Sequence, residues 1–175
     1  FSALGTSVVC QLNSPTEAGL PASLPASSSR LTSFPTQPDT GDLALFFTQS
    51  DTSEQWERHR IASFSSRALE AACPVSSGFS AAADGGSSGY ALTLQEPLTP
   101  AVHPGTPVRF IRRGRYSLYS ASDGERYLGY RRCNASGSAC AAIQPLSGPY
   151  RSYSGNRALT GILFQYFDAA GAPMG

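Results

Sequence analysis

The sequence predicts an α+β domain with a mainly antiparallel β-sheet and little helix. Only 14% of the residues are charged, and the 17 glycines and 13 prolines are typical of short strands joined by turns. Short apolar or alternating runs recur along the chain, and two of them flank Asp123-Gly124, a residue pair preferred in tight hairpin turns. A length of 175 residues fits one domain over residues 1–175.

The first half of the chain contains the elements of a small sheet. The apolar run at 42–48 is suited to a buried strand, and residues 59–66 are a candidate partner for it. Residues 66–73 predict a two-turn helix that ends before a proline, and 90–95 alternate like a strand. Residues 14–42 are rich in Pro, Ser, Thr and Ala and predict a loop.

The second half contains the clearest local signal. Residues 115–122 and 125–132 predict a hairpin around Asp123-Gly124, and 107–113 precede it, so we expect a three-stranded meander. Residues 159–167 form the most apolar run and predict a strand at the centre of the sheet, where both faces are covered.

The four cysteines predict disulfides. Cys10, Cys73, Cys133 and Cys140 are even in number, and their spacing fits no paired C-x-x-C zinc pattern, so we expect neither a metal nor a cofactor. The flexible loop from Cys133 to Cys140 favours local closure, which would leave Cys10 with Cys73, although sequence alone allows three pairings. Disulfides indicate an oxidising compartment outside the cytoplasm.

The charge distribution is uneven although the formal net charge is only +1. Residues 1–100 hold 4 Arg and 9 acids, whereas residues 101–175 hold 9 Arg and 3 acids. All 13 basic residues are Arg, so the lysine that a P-loop needs against phosphates is absent and nucleotide-driven chemistry is excluded.

Enzymatic motifs are weak, and we expect no enzyme. Residues 85–89 match G-x-S-x-G, but no helix pattern follows Ser87, so a flexible loop is the better interpretation than a nucleophile elbow. Two histidines, His59 and His103, could serve a serine nucleophile, but neither has a placed partner, and surface solvation is the better interpretation. The acidic run of Asp51, Glu54 and Glu57 is more typical of a solvated segment than of a glycosidase pair.

The predicted hairpin offers the strongest candidate binding surface. If Asp123-Gly124 closes a two-residue turn, one face carries arginines interleaved with tyrosines, namely Arg115, Tyr119, Arg126, Tyr130 and Arg132. Such a face could hold phosphates and stack bases of single-stranded nucleic acid. The alternative, which the near-neutral net charge favours, is that the tyrosines pack and the arginines meet acidic neighbouring proteins.

The order of these elements resembles a known family of filament subunits. A hairpin ending in Arg126-Tyr-Leu-Gly-Tyr-Arg-Arg132 is followed by a variable loop and then by Gly161-Ile-Leu-Phe-Gln-Tyr-Phe-Asp-Ala-Ala-Gly171. This order resembles minor pilins of the PilW-like group and J-type minor pseudopilins of type II secretion. Ile162, Phe164, Tyr166, Asp168 and Gly171 resemble the C-terminal strand of that family.

The resemblance implies a pilin-like head and a structural role. The family carries a long apolar N-terminal helix that anchors the subunit in the inner membrane before assembly, and Phe1-Ser-Ala-Leu-Gly5 does not match it. We therefore expect this stalk helix to be missing from these residues. The implied partners are other pilin or pseudopilin subunits, in a pilus or pseudopilus at the cell surface or in the periplasm. The alternative function is a tip module that binds DNA or surfaces in natural transformation or adhesion.

Overall fold

The computed structural model describes residues 1–22, 32–50, 53–152 and 161–174. Residue contacts divide the chain into two compact units. Unit 1 consists of Phe1–Arg113 with Cys133–Ala139, and unit 2 consists of Gly114–Arg132 with Cys140–Gly175. All paired strands in both units are antiparallel, which confirms the predicted mainly antiparallel sheet with little helix.

Unit 1 is built on one seven-stranded sheet. Its strands are β1 (Ser2–Val8), β2 (Gln11–Ser14), β3 (Glu17–Leu20), β4 (Leu43–Ser50), β5 (Ser53–Ala68), β6 (Ser88–Leu94) and β7 (Pro107–Arg112). They lie in the order β1-β7-β4-β5-β6-β3-β2. The two edge strands, β1 and β2, are separated in sequence only by Val9 and Cys10, so the sheet curves until its two edges come together.

Apolar side chains at alternate positions of the strands point to one face of the sheet and fill the core of unit 1. In β4, Ala44 and Phe46 are fully buried, and the same face of β7 contributes Val108 and Phe110. Phe34, from the segment after residue 31, packs edge-on against Phe64, Tyr90 and Phe110, with ring centroids 5.3–5.4 Å apart. The positions of β4, β5 and β6 confirm the predicted strands at 42–48, 59–66 and 90–95.

A buried ion pair joins β7 to the turn before β4. Arg112 donates two hydrogen bonds to the carboxylate of Asp42, from Nε at 2.9 Å and from Nη2 at 2.7 Å. The side chain of Asp42 is 1% exposed and that of Arg112 is 16% exposed. Asp42 also accepts from the backbone N–H of Asp39, so its oxygens are well satisfied in the interior.

Two predictions for the first half of the chain are corrected. The predicted loop at 14–42 contains β3, which forms a hairpin with β2. The predicted helix at 66–73 is reduced to α1 (Leu69–Ala72), because Arg67 and Ala68 pair with Gly89 and Ser88 and extend β5. Two 3₁₀ turns, Val75–Ser77 and Ala82–Asp84, follow α1.

Both predicted disulfides are present. Cys10 is bonded to Cys73 and both are buried with Leu69 in a small second core beside α1. Cys133 and Cys140 are also disulfide-bonded, and no cysteine is free. The disulfides fit an oxidising compartment. Within the described part of the chain, no helix has the length and apolar character needed to cross a membrane.

Unit 2 contains two small sheets. The first has the order β10-β9-β8, from β8 (Gly114–Ser120), β9 (Arg126–Arg132) and β10 (Gln144–Tyr150). The second pairs β11 (Tyr166–Phe167) with β12 (Pro173–Met174), and we call residues 166–174 the C-terminal hairpin.

Two predictions for the second half are wrong. The third strand beside the hairpin is β10, because 107–113 pairs instead with β1 and β4 in unit 1. The predicted central strand at 159–167 is not central: 159–160 lie outside the described residues, 161–165 form no strand, and Tyr166–Phe167 pair only with β12.

Candidate interaction surfaces

The predicted hairpin exists, but its loop is longer than a two-residue turn. The N–H of Gly124 donates to the carbonyl of Ala121, and the N–H of Ala121 donates to the carbonyl of Glu125. Ser122, Asp123 and Gly124 therefore form a three-residue loop, with Gly124 at φ 81° in the left-handed region. Glycine tolerates this φ, which explains its place at the end of the loop.

The longer loop shifts the strand pairing by one residue. The prediction that all five candidate residues share one face of the hairpin is therefore wrong. Arg115 pairs with Arg131 and Tyr119 with Tyr127, whereas Tyr116 pairs with Tyr130. Because directly paired residues share a face, Arg115 and Tyr119 lie on one face of the hairpin, opposite to the other three predicted residues. Those three lie together on the second face: Arg126, Tyr130 and Arg132.

Each face of the hairpin combines arginine with tyrosine. On the first face, Tyr119 and Tyr127 have ring centroids 6.0 Å apart, and Arg115 lies directly opposite Arg131. On the second face, Tyr116 and Tyr130 are 5.1 Å apart. Arg115 and Arg131 therefore place two like charges side by side on the first face.

The loop of the hairpin is held by the carboxylate of Asp123. Its Oδ1 accepts from the N–H of Glu125 at 2.9 Å, and its Oδ2 accepts from the hydroxyl of Tyr127 at 2.9 Å. The Glu125 backbone bond, followed by the Tyr127 bond, lowers the pKa of Asp123 below its ordinary value of 3.8. The same carboxylate raises the pKa of Tyr127 above 10.0, because the hydroxyl must keep its proton to donate.

Unit 2 leaves many large apolar side chains in solvent. Of its described residues, only Gly129 is buried. The exposed large apolar residues of the unit are Tyr116, Leu146, Leu163, Phe164, Tyr166, Phe167 and Met174, each at least 41% exposed. Large contiguous exposed apolar patches are typical of surfaces that contact other molecules.

Unit 1 carries an apolar groove that the sequence analysis missed. It has a volume of about 580 Å³ and lies on the face of the sheet away from the core, over β1, β7, β4 and β5. Its lining includes Val8, Phe47, Trp56, Pro107 and Arg109. Trp56 is the only tryptophan of the chain and is 40% exposed. A tryptophan between charged residues in Glu54-Gln-Trp-Glu57 is the sequence signal that could have indicated an exposed aromatic side chain.

Two side chains hold Trp56 in place. The ring of Phe47, its direct partner across β4 and β5, has its centroid 5.2 Å away. The guanidinium carbon of Arg109 lies 4.7 Å from the centroid of the Trp56 ring, a cation–π contact. Leu45 pairs with both Arg58 and Arg109, so these two arginines flank it on the same face. In the described ranges, neither arginine has a carboxylate within 4.0 Å.

The candidate catalytic residues are not brought together. Ser87 precedes β6 rather than a helix, and its carbonyl accepts from the N–H of Leu69. His103 places Nδ1 2.8 Å from the carbonyl oxygen of Pro104. Among the described residues, no hydrogen bond joins Ser87 to either histidine, and no cluster of His, Cys, Asp and Glu is placed to hold a metal ion.

The expected surface position of His59 is wrong. The residue is 7% exposed, and its ring packs edge-on against Phe46 and places Nε2 3.5 Å from a carboxylate oxygen of Glu57. Glu57 also accepts from the hydroxyl of Thr99. Glu54 and Glu57 both lie on β5, while Asp51 is outside the described residues. Alternation on β5 explains the burial, because His59 and Ile61 share the face that points into the core.

Comparison of the chain with protein-family models, with curated proteins and with solved structures finds no match. The class that the fold itself defines is a mainly antiparallel β protein stabilised by two disulfides.

Proposed function

We propose that this chain is a structural subunit of an extracytoplasmic filament, of the minor pilin or pseudopilin kind, and that it acts in assembly or at the tip. The observation that carries the proposal is the exposed apolar surface of unit 2, whose described residues bury only Gly129. A unit with so little interior of its own gains stability when neighbouring subunits cover it. The proposed partners are other pilin or pseudopilin subunits, and the proposed anchor is a helix upstream of these residues.

The charges of the two units support packing between subunits. Unit 1 contains 7 Arg and 9 acids, a net charge of −2, and unit 2 contains 6 Arg and 3 acids, a net charge of +3. Opposite charges on different parts of a subunit favour contacts between unlike surfaces of neighbouring copies or relatives. The proposal includes no catalysis, since the candidate nucleophile and the histidines are not joined.

The filament role is tested by locating the chain in the cells that produce it. Filaments sheared from the cell surface are separated from soluble proteins, and both fractions are probed with an antibody against the chain. We expect the chain in the filament fraction, and a variant with Leu146, Phe164 and Phe167 replaced by serine should shift to the soluble fraction. A chain found only among the soluble proteins of cells that carry filaments would contradict the proposal.

A second candidate function is a tip module that binds DNA through the hairpin. The observation that favours it is the pairing of Arg115 with Arg131 beside Tyr119 and Tyr127. Each neutralised phosphate releases counterions, so binding that uses this face must weaken steeply as salt rises.

The corrected register provides matched variants for the DNA test. Arg115→Ser with Arg131→Ser removes the charge of the first face, and Arg126→Ser with Arg132→Ser removes the same charge from the second face. A DNA module using the first face would lose about two units of salt slope in the first variant only. We expect the filament role instead, with single-stranded DNA bound no more tightly than about 10 μM at physiological salt, as for non-specific contacts. Submicromolar binding that one pair of substitutions abolishes would favour the DNA module.

A further inference from the structure

We propose that the groove around Trp56 in unit 1 is a docking site for the C-terminal hairpin of a second copy of this chain. This inference rests on the proposed filament role and names a contact that would build it. The groove and the hairpin are different surfaces, so the contact is heterologous. A heterologous contact leaves one free groove and one free hairpin after each step, and it therefore adds subunits in a row.

The groove has the chemistry of an acceptor for an aromatic side chain beside an acid. Its floor is apolar and aromatic, with Phe47, Trp56 and Pro107 in its lining. Arg109 rests on the Trp56 ring, and Arg58 lies across Leu45 from it. Neither arginine has a carboxylate within 4.0 Å among the described residues, so the groove presents two positive charges with no counter-ion from the described part of unit 1.

The C-terminal hairpin has the complementary chemistry. Tyr166, Phe167 and Met174 are 65%, 56% and 61% exposed, and Asp168 follows Phe167 directly. Oδ1 of Asp168 accepts from the N–H groups of Ala170 and Ala172, which fixes the carboxylate beside the aromatic pair. Residues 161–174 contain this one acid and no arginine, so the segment carries a net negative charge.

The groove and the C-terminal hairpin are complementary in apolar surface and in charge. Docking would cover aromatic side chains that unit 2 leaves in solvent, and it would place the Asp168 carboxylate against Arg109 or Arg58. Strands of two residues, such as β11 and β12, are marginal alone and gain from packing on another surface. A contact made by two or three side chains is a small interface, so we expect a dissociation constant of roughly 10–1000 μM.

The fluorescence of Trp56 can report the contact, because Trp56 is the only tryptophan of the chain. The full chain is studied by sedimentation velocity from about 5 to 500 μM at low salt, with Trp56 emission recorded on the same samples. We expect the average mass to rise beyond that of a dimer as concentration increases, and Trp56 emission to change along the same curve. Salt should weaken the association, because an arginine–carboxylate contact is screened.

Two single variants separate the two surfaces. Arg109→Glu changes the groove and Phe167→Ser changes the hairpin, both at exposed positions, and each should shift self-association to at least tenfold higher concentration. An equimolar mixture of the two variants should form a dimer and stop there, since only one intact groove and one intact hairpin remain to meet. Arg151→Glu, at an exposed position of unit 2, and Val75→Ser, at an exposed apolar position of unit 1, are matched controls and should associate like the unchanged chain.

Several outcomes would overturn the inference. These are a chain that stays monomeric to 500 μM, association that leaves Trp56 emission unchanged, and a mixture of the two variants that behaves like each variant alone. A Phe167→Ser effect on Trp56 emission that does not depend on concentration would mean that the hairpin docks within its own copy. None of these results would remove the chain from sheared filaments, so the filament role is tested separately.

Discussion

Removing the disulfide between Cys10 and Cys73 should cost unit 1 much of its stability. The bond closes a loop of 63 residues, and the chain-entropy relation gives a loss of about 4 kcal/mol for a loop of this length. Both cysteines are buried beside Leu69, so Cys10→Ala with Cys73→Ala also removes two packed sulfur atoms. That loss is a large part of the total stability of a small domain.

The measurement is urea unfolding under non-reducing conditions, followed by the emission of Trp56, which lies in unit 1. With a slope of about 1–3 kcal/mol/M, a loss of about 4 kcal/mol lowers the midpoint by more than about 1 M. Cys133→Ser with Cys140→Ser is the matched control, because the short loop between these cysteines predicts a stability loss of only about 2 kcal/mol. A loss below about 1 kcal/mol for the first pair, or an equal loss for both, would refute the loop-entropy reasoning.

Three further predictions concern an ion pair, a pKa and an absent activity. Asp42→Ala should destabilise unit 1 by about 3–5 kcal/mol in the same urea assay, because it removes the buried carboxylate that accepts two hydrogen bonds from the largely buried guanidinium of Arg112. Arg67→Ala, in an exposed pair with Glu17, should cost at most about 1 kcal/mol, and equal effects would contradict this. The lowered pKa of Asp123 means that its bonds stabilise the loop above the unfolded pKa and are lost as pH falls through the folded pKa. Tyr127→Phe should raise the pKa of Asp123 in an NMR titration without returning it to 3.8, since the backbone bond to Glu125 is the larger cause; no change would refute the Tyr127 bond. Ser87→Ala should leave any esterase activity unchanged, and a loss of more than about a hundredfold in a folded variant would show a catalytic role.

The sequence predicted strands best where the pattern of apolar residues is also the pattern of burial. β4 and β6 were found because their apolar residues face a core that the same sheet supplies. The helix at 66–73 was overestimated because its first residues have partners in β6, and strand pairing outweighs a modest helix propensity. β1 was missed because Leu4 and Val8 stand among Gly, Ser and Thr, which do not form an alternating run.

The Asp123-Gly124 pair alone was not enough to predict which residues of the hairpin share a face. Gly124 suits both a two-residue turn and the end of a three-residue loop, so the dipeptide identified the hairpin but could not fix its register. The register decides which arginines share a face, and that prediction failed by one residue. The run at 159–167 was placed in the centre because it is apolar, yet apolarity does not say whether the covering surface belongs to the same chain.

The position of β1 sets the order in which unit 1 can form during synthesis. β1 is complete at Val8, but its sheet partner β7 ends at Arg112, so the edge of β1 that faces β7 stays unpaired until most of the unit is made. Contacts this distant in sequence slow folding, and a waiting strand exposes an unpaired edge to other chains. Cys73 emerges before β7 does, so oxidation with Cys10 can tie the waiting segment to α1 and limit its freedom. An oxidase that acts early on the emerging chain would therefore protect it from aggregation as well as stabilise the finished protein.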